Sequence, residues 1–497
     1  MNILPVFVAL PFGVAFFIPM VSRKLKWVPD VLGNITTFIL LILSLMTMNQ
    51  EFVYHIGGWK PPFGIVFVLD GLSCLLLIII NLIGFMATLF SIEYIEKRFT
   101  SKLRYYSLFL LMLGGMNGTV LSGDLFNLFV FMEIASIASY ALVGFGCESR
   151  ELEASFKYLV MGNVASLFVL YGVALLYGKT GSLNMADVAR ILREISYDNL
   201  IGFAFVLLIG GFMVKAALVP FHAWLPDAHP SAPAPISAML SGVVIKALGV
   251  YVVTRLIFNL FGFNQIISNL LVYIGVISMI SGVCLAILQF DFKRLLAYHS
   301  ISQMGYVVCG LGLGTTLGVL GGIFHLFNHS LFKSLLFLDS GAIEYETGTR
   351  NLNKMGLLYK KMPITSFSTL IGSLSISGIP PLNGFWSKLV IILAAIKAGR
   401  PIIALWAVIG SILTLASFTK VCRYSLYGKG EKFDEEKFKN YKEVGDLMIV
   451  PLIVLSILCI FTGLLLIGGE NGIFGPVVDV INGGVLQYIN KVLGSLK

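Results

Sequence analysis

Apolar residues in this chain come in runs of about 20, recurring from one end to the other, each long enough to cross a hydrocarbon core of roughly 30 Å. The pattern predicts fourteen spans at residues 2–22, 28–49, 66–92, 105–123, 125–146, 156–178, 200–220, 234–258, 265–289, 295–312, 316–340, 362–396, 401–427 and 446–468. Any one run could be a buried core helix, but a series of this length makes that reading untenable. The run from Met1 to Met20 lacks a basic leading segment and a small-residue cleavage site, so it reads as the first span and not as a cleaved signal. Loops are expected to be short, except the polar stretch Lys429–Glu443, which reads as solvated. The tail after Gly469 has apolar patches without a complete span and is expected at the interface. The expectation is an all-α polytopic membrane protein. It divides into N-terminal spans (1–104), two five-span units (105–260 and 261–428) and a terminal section (429–497).

Composition agrees with the pattern. A length of 497 residues would suggest about three soluble domains, but 57% of residues are hydrophobic, only 12% are charged, and the mean hydropathy is +0.90. The net charge of +9 is a topology signal here, not a nucleic-acid footprint. Of 35 Lys and Arg, 22 fall in or beside the odd-numbered loops, 7 at the even-numbered loops and 2 in the tail. Positive residues stay inside. The odd loops are therefore expected on the cytoplasmic side and both termini outside, in a multi-pass inner (cell) membrane protein. The six cysteines are scattered, with no C-x-x-C spacing and no Cys/His cluster, which argues against iron–sulfur, c-type haem and metal sites. No G-x-G-x-x-G or Walker A loop is present either. The expectation is no cofactor, no metal and no nucleic-acid partner.

The four remaining basic residues, Lys215, Lys246, Lys333 and Lys388, lie within spans. A charge at membrane depth costs at least about 2.5–3.5 kcal/mol and is by default a functional residue. Snorkelling to the headgroups is the competing reading, weakest for Lys246 in the middle of its span. Glu133 is the acidic counterpart, flanked by Phe129, Val130, Phe131, Met132 and Ile134. Burial favours the neutral form of carboxyl and amine alike, and juxtaposition restores both charges. A Glu133–Lys215 pair would thus be a switch whose protonation follows geometry. A static ion pair locking two helices is the alternative.

His325, His329 and Lys333 are spaced by four and share one helix face, about a turn apart. They form a candidate proton relay. Zinc chelation by the two histidines competes, but no third ligand is evident nearby, and purely structural hydrogen bonding is also open. Two spans are interrupted by proline, one at Pro220 and Pro226, the other at Pro380 and Pro381. Such breaks at membrane depth, at matching places in two halves, point to an inverted-repeat transporter with spans 4–8 and 9–13 of opposite topology.

Three stretches are recognisable. Trp224-Leu-Pro-Asp-Ala-His-Pro-Ser-Ala-Pro-Ala-Pro-Ile-Ser-Ala-Met-Leu-Ser-Gly-Val-Val-Ile-Lys246, Asp291-Phe-Lys-Arg-Leu-Leu-Ala-Tyr-His-Ser-Ile-Ser-Gln-Met-Gly305 and the His325–Lys333 run resemble the antiporter-like subunits of respiratory complex I and Mrp-type Na+/H+ antiporters. The stretch Gly57-Gly-Trp-Lys-Pro-Pro-Phe-Gly64 and the length are most similar to the D-type component of Mrp antiporters and to the H-type component of membrane-bound hydrogenase-type complexes. The resemblance implies that Glu133 and Lys215 are the paired groups of spans 5 and 7, Lys246 the relay lysine of span 8, His325 and His329 the relay of span 11, and Lys388 the group at the second half-channel. Some relatives carry glutamate at that last position. The long lateral helix of the largest complex I member is not expected. The resemblance also implies H+ transport, alone or coupled to Na+, beside homologous and small membrane subunits of one complex, with no catalytic redox site on this chain. A stand-alone solute transporter would call for a polar midplane pocket instead of single titratable residues in a row. A quinone-interacting redox subunit remains the other alternative.

Overall fold

A computed structural model describes residues 3–22, 25, 27–98 and 101–494; Arg23, Lys24, Lys26 and Lys497, which enter the charge count, lie outside them. Helices α1 (Val6–Val21) and α2 (Val28–Met46) lead into a hairpin of β1 (Phe52–His55) and β2 (Val66–Leu69), antiparallel with Phe52 opposite Leu69 and His55 opposite Val66. The expected third span therefore begins later than residue 66: Val66–Leu69 is β-branched-rich and pairs as a strand, and α3 (Gly71–Arg98) starts after it. The Gly57–Gly64 motif is the hairpin's connection.

Next come α4 (Lys102–Leu121), α5 (Leu125–Val143), α6 (Ser149–Thr180), the short amphipathic α7 (Met185–Glu194) and α8 (Asn199–Lys215). The expected seventh span stops at Lys215, and α9 (Leu225–Ser231) resumes beyond the Pro220 break. Then follow α10 (Ala234–Phe261), which contains π-helical stretches, α11 (Gln265–Ile287), α12 (Phe292–Gly312) and α13 (Thr316–Thr347). The twelfth expected span is two helices, α14 (Pro363–Ser377) and α15 (Asn383–Lys397), with Gly378 at φ +79° capping the first. The chain finishes with α16 (Pro401–Tyr427), the short α17 (Glu435–Lys439), α18 (Asp446–Phe461), α19 (Gly475–Asn482) and α20 (Gly484–Gly494). The Lys429–Glu443 stretch is thus not wholly loop, because Asp434 caps α17. Among the described residues, eight helices are long and apolar enough to cross a membrane, and α1 and α8 are shorter apolar helices.

Several ends recur in the two halves. Asp124 caps α5 and bridges to Asn184; Asp291 caps α12 and bridges to Asn351. Helices α6 and α13 each have 32 residues, and each ends in a threonine bonded back one turn, followed by a left-handed glycine (Thr180 and Gly181, Thr347 and Gly348).

Apolar residues decide what faces what. Helix α10 and the stretch Gly318–Ile343 of α13 are buried on all sides, as helices without a polar face must be when they form a core. Outer helices expose Phe156, Leu167, Phe203, Val206 and Ile412, the surface expected against lipid. Glycines bring the core together. A β-carbon on Gly249 would lie 2.6 Å from the backbone of Ala216, so α10 can pack directly on the break after α8 only without a side chain there.

Arg255, one of the seven basic residues counted at the even-numbered loops although it falls within the last turn of the expected 234–258 span, is buried in α10 and grips Asp70 at the start of α3 with two bonds of 2.7 and 2.8 Å. An arginine so close to a predicted span end looks like a loop residue until its partner, 185 positions away, is known. Nearby, Asn259 bonds to Val480 and Gly484, and Lys491 to Glu51, so the C-terminal helices fold back on α10 and the hairpin.

Candidate functional site

The seven residues singled out from sequence are all on helices of the core or its edge. Glu133 and Lys215 come together across α5 and α8. The Lys215 Nζ is 3.6 Å from Glu133 Oε1, and it donates to Ser136 Oγ at 3.0 Å and Tyr140 Oη at 3.1 Å. Ser166 of α6 donates to Glu133. Lys215 is the last residue of α8, placed there by the turn that precedes Pro220. Ser136, Tyr140 and Ser166 carry no distinguishing mark in the sequence, although +3 and +7 from Glu133 put Ser136 and Tyr140 on its face.

Lys246, fully buried in α10, opens the second of two π-helical stretches and donates to the carbonyl of Ser241 in the first at 2.5 Å, where the regular ladder is interrupted. Lys333 donates to the Leu296 carbonyl of α12 and lies over the Phe337 ring. His325 and His329 have ring centroids 6.4 Å apart. The rings differ in their partners. His325 is held at both nitrogens, by Ser387 Oγ at 2.9 Å and Gln303 Oε1 at 3.1 Å, whereas neither ring nitrogen of His329 has a hydrogen-bond partner among the described residues. His329 lies within electrostatic reach of Lys246, Lys333, His325 and His229.

Lys388, buried in α15, donates to the Ile376 carbonyl at 2.7 Å and sits 5.0 Å from the Tyr306 ring. Ile376 is in the last turn of α14, where carbonyls have no helical partner. The break thus supplies the acceptor for the lysine. The two lysines nearest the breaks are held differently: Lys215 by side chains and an acid, Lys388 by backbone and an aromatic face.

Two further buried histidines are not distinguished by the sequence pattern. His229 follows the Pro226 break, packs against Phe337 with ring centroids 4.7 Å apart, and has no hydrogen-bond partner at either nitrogen among the described residues. His299 of α12 bonds Ser417 at 2.8 Å. His229 lies inside one of the recognisable stretches, so its signal was present but had no helical spacing to tie it to the others. The four lysines and the two α13 histidines are buried, Glu133 is partly buried, and each side chain can gain or lose a proton.

Known proteins resemble this chain over most of its length. A family model described as NADH:quinone oxidoreductase/Mrp antiporter, transmembrane region, matches residues 122–414, and one for the N-terminus of complex I chain 5 matches residues 55–106. The chain is 36% identical over 463 residues to the D-type component of the Na(+)/H(+) antiporter of Alkalihalophilus pseudofirmus, covering 92% of each. Its structure is similar to a chain of the Mrp complex from Dietzia sp., with a TM-score of 0.90 and 29% identity over 99% of both chains. It is equally similar to a chain of the archaeal membrane-bound sulfane sulfur reductase, with a TM-score of 0.90 and 31% identity over 99% of both.

Proposed function

The chain belongs to the NADH:quinone oxidoreductase/Mrp antiporter transmembrane family, and from that premise we propose that it moves protons through two half-channels joined by a buried polar axis. It is an antiporter-like membrane subunit of the Mrp and complex I-like kind, a multi-pass membrane protein. The proposed axis is Glu133–Lys215, then Lys246, then His325, His329 and Lys333, then Lys388. The observation that carries it is the burial of four lysines and two histidines in one continuous core, with only Lys215 facing an acid among these described residues. Static ion pairs would need more acids than the axis has, and proton relay needs none.

The proposed architecture has fourteen spans, with spans 4–8 and 9–13 as inverted repeats and both termini outside. The matching Asp–Asn bridges, the equal lengths of α6 and α13, their threonine–glycine ends and the breaks at Pro220 and Pro380–Pro381 support the repeats. The proposed partners are homologous antiporter-like and small membrane subunits. Na+ is the counter-ion if the parent complex works without a redox arm.

The test is to purify the intact complex, reconstitute it in proteoliposomes and measure proton movement with and without a Na+ gradient. Proton flux that is lost in Glu133→Ala supports the reading. A complex whose flux is unchanged by substitutions along the whole axis overturns it.

A further inference from the structure

Asp339 lies outside this axis. It belongs to α13, further along the helix than Lys333, and is fully buried. One carboxyl oxygen accepts from Ser368 of α14; the other, Oδ2, makes no close hydrogen bond among the described residues, and the Thr369 hydroxyl lies nearby. The groups that face it are Ser368 and Thr369 of α14, Cys459 of α18 and, from further away, Glu443 in the loop before α18. None of these is a cation. A carboxylate without a cation partner in such a place would cost several kcal/mol.

What surrounds it leads in two directions. Towards the surface, Ser368 Oγ also lies 3.0 Å from the Thr365 carbonyl, the alternative acceptor for its one hydrogen, and the Thr365 hydroxyl donates to Glu443 at 2.6 Å. The partly exposed Glu443 also accepts from the backbone N–H groups of Ile364 and Thr365, at the start of α14. Towards the centre, Thr365, Thr369, Ser373 and Ser377 follow one another at intervals of four and are all buried, a single hydroxyl file along one helix face. Thr369 bonds the Thr365 carbonyl at 2.8 Å, and Ser377 bonds the Ser373 carbonyl at 2.7 Å. The file ends next to Ile376, whose carbonyl holds Lys388. Hydroxyls both donate and accept, so such a file can pass a proton when water completes the gaps.

We propose that Asp339 is a proton-loading site on a second access route, leading from Glu443 along the hydroxyl face of α14 to Lys388. The inference rests on the proton-translocating reading above and adds to its axis a branch that enters beside the second broken helix. In the step itself the Asp339 carboxyl gives up one proton, which travels by the hydroxyl file and its waters to the neutral Lys388 amine. Lys388 becomes ammonium, Asp339 becomes carboxylate, and a proton arriving through Glu443 restores the acid.

The experiment uses membrane vesicles containing the whole complex, with Asp339→Asn, Asp339→Glu and the paired Thr369→Val, Ser373→Ala. Asp339→Asn keeps the shape and the Ser368 contact but cannot titrate. Proton flux is expected to fall several-fold, most at alkaline pH where bulk protons are scarce, and Asp339→Glu to restore part of it. The hydroxyl double variant should reproduce the loss. Infrared spectra of Asp339→Asn should lack one carbonyl stretch of a protonated carboxylic acid. Wild-type flux at every pH in Asp339→Asn overturns the proposal, as does an equal loss in Asn and Glu variants that tracks only complex yield. Glu133→Ala is the control. If it abolishes flux while Asp339→Asn does not, the second route alone falls; if it too is without effect, the parent reading falls.

Discussion

The Lys215 Nζ stands 3.6 Å from Glu133 Oε1, within ion-pair reach, and makes shorter hydrogen bonds of 3.0 and 3.1 Å to Ser136 and Tyr140. The attraction between two such groups depends on their separation, so a small movement at the break after Lys215 changes it. Glu133→Ala is therefore expected to abolish proton flux in reconstituted complexes at near-normal expression, and Glu133→Asp to keep part of it. Wild-type flux in Glu133→Ala would make the pair structural.

Lys246 tests the relay. Its only described hydrogen bond is to the Ser241 carbonyl, so a bulkier cation keeps the charge there but cannot release the proton. Lys246→Arg should lose flux by about 10²-fold or more, the usual contribution of a positioned proton-transfer group. The assay is initial-rate proton uptake in vesicles matched for complex content. Full activity in Lys246→Arg would remove Lys246 from the route.

The Asp70–Arg255 pair predicts a stability effect separate from transport. Removing one partner leaves the other charge buried, at about 3–5 kcal/mol. Asp70→Ala should therefore lower the thermal unfolding temperature of the detergent-solubilised complex far more than the double variant Asp70→Asn, Arg255→Gln. Equal effects from the single and double variants would mean that the pair is not coupled.

The proposed orientation rests on the charge asymmetry and can be tested by labelling. In a background with the exposed Cys147 and Cys284 replaced, a cysteine at Lys432 should react only from the cytoplasmic side and one at Glu470 only from outside. Labelling of both from one side contradicts the parity of spans.

The sequence by itself determined the membrane class, the breaks near Pro220 and Pro380, and the buried lysines and histidines. These follow from local facts: the length of an apolar run, the missing proline N–H, and the cost of a charge at depth. Recognisable stretches supplied the family. What only the tertiary structure decided is which groups meet. Glu133 and Lys215 are 82 positions apart, and the residues that separate their charges, Ser136, Tyr140 and Ser166, carry no mark of their own in an apolar run. Arg255 passed for a loop residue, Val66–Leu69 for the start of a span, and Asp339 for nothing at all. In each case the deciding partner lies on another element, and apolar patterning states that a face is buried without stating against what.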